Sequence, residues 1–293
     1  NTLTGFFPEI WSVELKRIFD KTTVMGGLVN TDYEGEITKY GDVVNIQSVG
    51  NITVSTYTRE MNVTYNTLTS PTTTLLIDQM KFFAFLVDDL DKAQANVDIM
   101  ALYTNRAAVA IREVVDSAIL AHYVDADVVN YIGTDAAPID LTDLTNYDIY
   151  DMLVNLGVRL DDKNVPSEGR WFVCPPRVAG VIRKNHLFAD AAQSGDGGAL
   201  RRNGMIGNVA GFDIYISSNI TATDNDASTT TPSVFNCMGG TKDAITFASQ
   251  VAKVETLRME TKFADAIRGL FLYGKKVLQD DCLAVMKVNA VTI

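Results

Sequence analysis

Only two histidines, His122 and His186, occur among the 293 residues, so any Ser-His or Cys-His nucleophilic chemistry must use one of them. His122 falls on an apolar stripe, which predicts a structural imidazole rather than a catalytic base. His186 lies just after Arg183-Lys184 in a polar stretch and reads as a surface residue. Neither G-x-S-x-G nor H-E-x-x-H is present. Gly269-Leu270-Phe271-Leu272-Tyr273-Gly274-Lys275-Lys276 matches the G-x-x-x-x-G-K part of a phosphate loop but lacks the Ser/Thr that holds magnesium. Its Leu-Phe-Leu-Tyr interior favours a buried strand ending in a turn. Asp161-Asp162-Lys163-Asn164 resembles the start of a calcium loop without the required glycine and distal glutamate, and Asp224 and Asp226 sit in a loop that fixes no geometry. We therefore expect no catalytic residue, no cofactor and no metal.

Charge and composition narrow the partners. The chain carries 25 basic and 36 acidic side chains, a formal net charge of -11, which argues against a protein whose main task is gripping nucleic acid. With 47% hydrophobic and 21% charged residues it reads as folded, with ample burial for one large or two modest domains. Cys174, Cys237 and Cys282 are far apart and odd in number, which fits a reducing compartment. The N-x-T sequons at Asn51, Asn62 and Asn219 are expected by chance in so Thr-rich a chain. No apolar run reaches the ~20 residues of a membrane span, so no membrane partner is expected. Residues 1–10 show no signal-peptide pattern.

The elements that would position these residues follow from periodicity. Trp11, Leu15, Ile18 and Phe19 stand at helical spacing and predict a short amphipathic helix over Glu9 to Asp20 on an N-terminal arm, broken by Gly26-Gly27. From Ile52 to Leu76 threonines alternate with Val54, Tyr57, Val63, Tyr65 and Leu68. Thr, Val and Tyr suit a pleated strand, which predicts a long hairpin extending from a body. An isolated hairpin is marginal in water, so its own domain or another subunit must cover it. Leu75 to Leu90 predicts one apolar strand. Asp91 to Tyr123, free of Gly and Pro, predicts a helix of about 33 residues and roughly 50 Å, a structural strut. Helices are further expected over Tyr147 to Leu160 and Val178 to Lys184. Strands are expected over Trp171 to Cys174, Phe212 to Ser217, Ile245 to Phe263, Ile267 to Val277 and Cys282 to Val288, with loops at Gln193 to Asn203 and Thr221 to Ser233.

Several blocks together resemble the major capsid proteins of tailed bacteriophages, which share the Hong Kong 97 shell fold. They are Leu28 to Ile37 with Gly41-Asp42-Val43-Val44; Ile77 to Phe85 with Val87-Asp88-Asp89 and Gln94; Asn164-Val165-Pro166 through Gly169-Arg170; Gly204-Met205-Ile206-Gly207 with Gly211-Phe212 and Ser217-Ser218-Asn219; and Arg258-Met259-Glu260, Phe263-Ala264-Asp265, Gly269 and Tyr273-Gly274. The resemblance implies an α+β chain divided into an N-terminal arm (1–27), a peripheral-domain strand region (28–49), an extended E-loop hairpin (50–80), a peripheral domain with a long spine helix (81–124), an axial domain (125–244), and returning peripheral strands with a C-terminal axial segment (245–293).

What it implies for function is geometric. The chain would self-assemble as hexamers and pentamers of an icosahedral shell, in a virion built in the host cytoplasm around double-stranded DNA that it touches weakly and without sequence specificity. Scaffolding, portal and decoration or cement proteins are the further partners of such shells. Subunit contacts would fall on Trp11, Leu15, Ile18 and Phe19 of the arm and on Val54, Tyr57, Arg59, Glu60, Val63, Tyr65 and Leu68 of the hairpin, with hinges at Gly26, Gly27, Gly41 and Gly50. Some shells of this fold crosslink an E-loop Lys to a neighbour's Asn; between Lys39 and Lys81 this chain has no Lys, so no such bond is expected. The rival readings are a nanocompartment shell of the same fold and, from another class, a Thr-rich extracellular adhesin or surface-layer protein. The free cysteines and the long helix count against the latter.

Overall fold

The computed structural model describes residues 23–33, 43–47, 52–62, 65, 67, 70–89, 99–141, 148–184, 207–220, 222–223 and 234–289. In chain order the strands are β1 (Val43–Gln47), β2 (Thr72–Leu76), β3 (Gln79–Asp88), β4 (Tyr131–Ile132), β5 (Trp171–Cys174) and β6 (Asn208–Val209). They continue with β7 (Phe212–Ile216), β8 (Ala222–Thr223), β9 (Val234–Gly240), β10 (Ile245–Arg258), β11 (Ala264–Val277) and β12 (Leu283–Asn289). The α-helices are α1 (Ile99–Leu120), α2 (Ile149–Asp162) and α3 (Pro176–Lys184).

Among the described residues these strands form three sheets. β1 and β2 make an antiparallel pair running from Val43 opposite Leu76 to Gln47 opposite Thr72. β10, β11 and β3 make an antiparallel sheet in that order, and a mixed seven-stranded sheet runs β4-β12-β9-β5-β7-β6 with β8 on β9. The larger core belongs to the seven-stranded sheet. All four residues of β5 are buried, and Leu153, Leu156 and Leu160 of α2 join it in one core with Val178, Ala179 and Ile182 of α3. A smaller core gathers Val44, Leu75 and Ile77 with Ala248 of β10 and Leu272 of β11, so the β1-β2 pair is seated on the three-stranded sheet.

Local chemistry explains the helix limits. The Asp148 carboxylate caps α2 by accepting from the Tyr150 amide at 2.9 Å. The far end closes on Asn164, whose φ of 59 is left-handed: Val165 N–H reaches the Leu160 carbonyl at 3.0 Å, and Asn164 N–H reaches that of Asp161 at 2.9 Å. Asn164-Val165-Pro166 thus ends the helix as its sequence indicates. Helix α1 buries Val115 and Ile119, as the stripe predicts, and Leu120 beside them, and gives way at Ala121–Asp125 to a 3-10 turn. Residues 91–98 of the expected strut lie outside the described residues.

Two expectations need correction, and one strand went unforeseen. The apolar run from Leu75 to Leu90 is two strands, β2 and β3, separated at Ile77 and Asp78, because Ile77 turns into the smaller core beneath the β1-β2 pair. The hairpin is laddered only over its five-residue stem; among the described residues between the strands none is in a strand. Strand-forming side chains do not suffice where no second face is covered. Strand β9 was not expected at all. Val234 to Gly240 ends in two glycines and carries a buried Asn236, which hides a strand covered on both faces. The helix over Glu9 to Asp20 and the loop Gln193 to Asn203 lie outside the described residues, as does most of Thr221 to Ser233.

Candidate assembly surfaces

The hairpin loop presents its apolar side chains to solvent. Val54 and Tyr65 are each 94% exposed, Tyr57 67% and Ile52 66%, and Arg59 and Glu60 are exposed beside them. The middle of the loop is a tight turn: Met61 N–H donates to the Thr58 carbonyl at 3.1 Å, with Glu60 held at φ 69. A left-handed conformation at a residue with a Cβ is uncommon outside tight turns. Val63, Leu68, Gly41, Gly50 and the arm residues Trp11, Leu15, Ile18 and Phe19 lie outside the described residues. Gly26 and Gly27 fall in the 3-10 turn Met25–Gly27 with open space where a Cβ would stand, so neither is required to be glycine by packing.

The three-stranded sheet supplies a second apolar surface. Phe83 and Phe85 alternate with Phe82 and Leu86 along β3. The Phe85 ring lies 5.8 Å from that of Tyr103, so α1 covers the face these two odd-numbered rings share. On the opposite face Phe82 is 78% exposed, with Met80 and Leu86 about half exposed. Three ion pairs brace this sheet: Arg268 with Glu255 across β10-β11, and Arg258 with both Asp89 and Asp265 at its end.

Those of the residues singled out for chemistry that are described take structural places. His122 lies in the 3-10 turn after α1, with Nδ1 2.6 Å from Asp125 Oδ2. Burial, opposed by the Asp125 hydrogen bond, holds its pKa below the usual imidazole value, so the neutral ring donates to the carboxylate. Gly269 to Lys276 lies within β11 and continues to Val277 without the turn the motif suggested. Its glycines serve close packing rather than phosphate. Asp161 pairs with Arg170, and Lys163 bridges Asp127 at 2.7 Å and Asp281 at 2.6 Å. These carboxylates are engaged by cations, and no group of three metal-ligating side chains occurs among the described residues. His186, Asp224 and Asp226 lie outside the described residues. Cys174, Cys237 and Cys282 are buried and free; burial pushes the Cys174 thiol up to about 12 and Cys237 well above its ordinary value. Such thiols are unreactive at neutral pH.

Sequence reasoning missed Arg170 as an individual anchor. It is 5% exposed and donates to the Pro166 carbonyl at 2.8 Å and the Val165 carbonyl at 2.6 Å, as well as to Asp161 at 2.6 Å. A cation directly before the apolar Trp171-Phe172-Val173-Cys174 was the available signal. Asp116 was missed likewise: it is a carboxylate of α1 beside the apolar stripe, 2% exposed.

A chain with two uncovered apolar surfaces and tightly packed sheets has the character of a building element. Residues 72–285 match the family model described as phage capsid protein. The chain belongs to the phage capsid protein family. Membership gives it a structural rather than a catalytic role, in the capsid of a virion. A structure from Mycobacterium phage Che8 is 31% identical, covers 97% of this chain and 98% of its own, and superposes with a TM-score of 0.76. The capsid structure of cyanophage P-SCSP1u shares the fold at 18% identity, with 98% and 94% of the two chains covered and a TM-score of 0.73. The capsid of the native GTA particle does so at 13% identity, 97% and 95% coverage and a TM-score of 0.69. No curated protein matches the sequence.

Proposed function

We propose that this chain is the major coat subunit of a tailed phage, self-assembling into a closed icosahedral shell around double-stranded DNA, with a Hong Kong 97-type architecture. The observation that carries the reading is the hairpin. Its five-pair stem is seated on the three-stranded sheet by Leu75 and Ile77, while Ile52, Val54, Tyr57 and Tyr65 beyond it are left in water. Apolar side chains on a projecting loop are suited to burial against another copy of the same chain.

On this reading residues 1–27 form the arm, 50–80 the E-loop, 81–124 and the returning strands from 245 the peripheral region around α1, and 125–244 the axial domain. The subunit interface includes Trp11, Leu15, Ile18, Phe19, Val54, Tyr57, Arg59, Glu60, Val63, Tyr65 and Leu68, with flexing at Gly26, Gly27, Gly41 and Gly50. Many weak contacts suffice, because closing a ring makes each later contact effectively intramolecular. The net charge of -11 suits a wall that encloses DNA without gripping it. Scaffolding, portal and decoration proteins are further partners, and assembly takes place in the host cytoplasm.

The test is size-exclusion chromatography with light scattering on the expressed chain, followed by negative-stain imaging of the leading peak. Closed particles or rings of five and six subunits support the reading. A monomer that persists across salt and with its scaffold co-expressed overturns it.

A further inference from the structure

The two oxygens of one buried carboxylate, Asp116 on α1, hold two different parts of the molecule. Oδ1 accepts from two consecutive backbone amides of the N-terminal turn, Val24 at 2.9 Å and Met25 at 2.8 Å. Oδ2 accepts from Asn219 Nδ2 at 2.7 Å and Ser217 Oγ at 3.2 Å, in the turn that leaves β7 of the seven-stranded sheet. The Ser217 hydroxyl in turn accepts from the Asn219 amide at 3.2 Å. Among the described residues no cation pairs with Asp116, so these four donors are what offset the burial of its charge.

The N-terminal turn continues into a strap that is pinned again six residues on. Asn30 N–H donates to the Ile245 carbonyl at 2.9 Å, and Phe247 N–H donates to the Asn30 carbonyl at 2.8 Å, at the start of β10. Met25 and Val29, both buried, fill the core between the two pins. Residues 24–30 therefore run from a junction of α1 with the seven-stranded sheet to the edge of the three-stranded sheet.

We propose that Asp116 is a coupling residue: it makes the seating of the N-terminal strap and the conformation of the Ser217–Asn219 turn depend on each other. A carboxylate is planar and rigid, so a shift that draws Oδ1 after Val24 and Met25 must rotate or displace Oδ2 against Asn219 and Ser217. Movement of the chain preceding residue 23 would then reach the seven-stranded sheet through one side chain. Its significance for a shell, where the arm meets neighbours, rests on the reading above; the coupling itself does not.

Amide hydrogen exchange on the full-length protein in its native state tests it. Asn219→Ala removes a contact made only to Oδ2. Coupling predicts that it accelerates exchange at Val24 and Met25, on the Oδ1 side, by about tenfold, within the range typical of coupled sites. Ser217→Ala gives a smaller change in the same direction and serves if Asn219→Ala fails to fold. Val285→Ala, which trims the core on β12, controls for general destabilisation. Wild-type exchange at Val24 and Met25 in both Oδ2-side variants, or equal acceleration in Val285→Ala, overturns the proposal. Neither outcome depends on whether shells form.

Discussion

Gly274 lies directly beneath Ile77. A Cβ at position 274 would come within 2.5 Å of both the Ile77 Cδ1 and the Leu76 carbonyl oxygen. This contact is where the hairpin stem seats on the three-stranded sheet, so the absence of a side chain at 274 sets how closely β2 can approach β11. The backbone carbonyl cannot rotate away as a side chain would. Gly274→Ala is expected to cost about 1–3 kcal/mol in thermal or denaturant unfolding, the usual range for overpacking a close contact. An unchanged midpoint would show that the stem is not seated as described.

Arg170 ties the end of α2 to the start of β5. Truncation to Ala strands the Val165 and Pro166 carbonyls, and we expect a loss of about 2–3 kcal/mol. Asp161→Asn should cost far less, under about 1 kcal/mol, because that carboxylate is 62% exposed and screened by water. Arg170→Lys should resemble the Ala variant, since one ammonium cannot reproduce the planar fork. Equal losses for Arg170→Ala and Asp161→Asn would contradict this ranking.

His122 gives a pH dependence whose sign is fixed by burial. Its Nε2 is buried without a hydrogen-bond partner, and Lys275 and Lys276 add to the burial that lowers its pKa from 6.5, against the opposing pull of Asp125. The unfolded chain therefore binds a proton more readily than the folded one. Stability falls as pH drops below 6.5 towards the folded-state value, and is regained above it. His122→Asn should flatten that slope in melting temperatures measured between pH 5 and 7, values that bracket an ordinary imidazole pKa. Parallel slopes in the two proteins would refute the assignment.

Elements whose periodicity and burial agree were legible from the residues alone. Helix α2 was placed to within two residues, because Leu153, Leu156 and Leu160 share one face and Asn164 stops the helix. Strands β5, β7 and β12 were equally plain. The unseen β9 lies covered on both faces, where alternation vanishes, and its terminal Gly239-Gly240 reads as a turn. At Gly240 a Cβ would meet the Cys282 carbonyl at 2.7 Å, so that glycine serves close packing of β9 on its neighbour. The Asp116 junction joins residues about a hundred positions apart, and no local pattern reveals such a pairing.

The lysine-free span between Lys39 and Lys81 leaves the hairpin without an amine for isopeptide formation. Mature particles boiled in denaturant should run as one band at the mass of a single subunit. A ladder of covalent oligomers would contradict this.

The central claim is that copies of this chain are held together through the exposed hairpin loop. The most direct measurement is the light-scattering mass of the wild-type protein against a Val54→Asp, Tyr65→Asp double variant under the same assembly conditions. Both side chains are 94% exposed, so the variant should keep its unfolding free energy within about 0.5 kcal/mol of wild type. The account predicts closed multi-subunit particles from the wild type, and a variant that remains near 32.1 kDa or stops at small rings. A variant that closes the same particles in the same yield would contradict it.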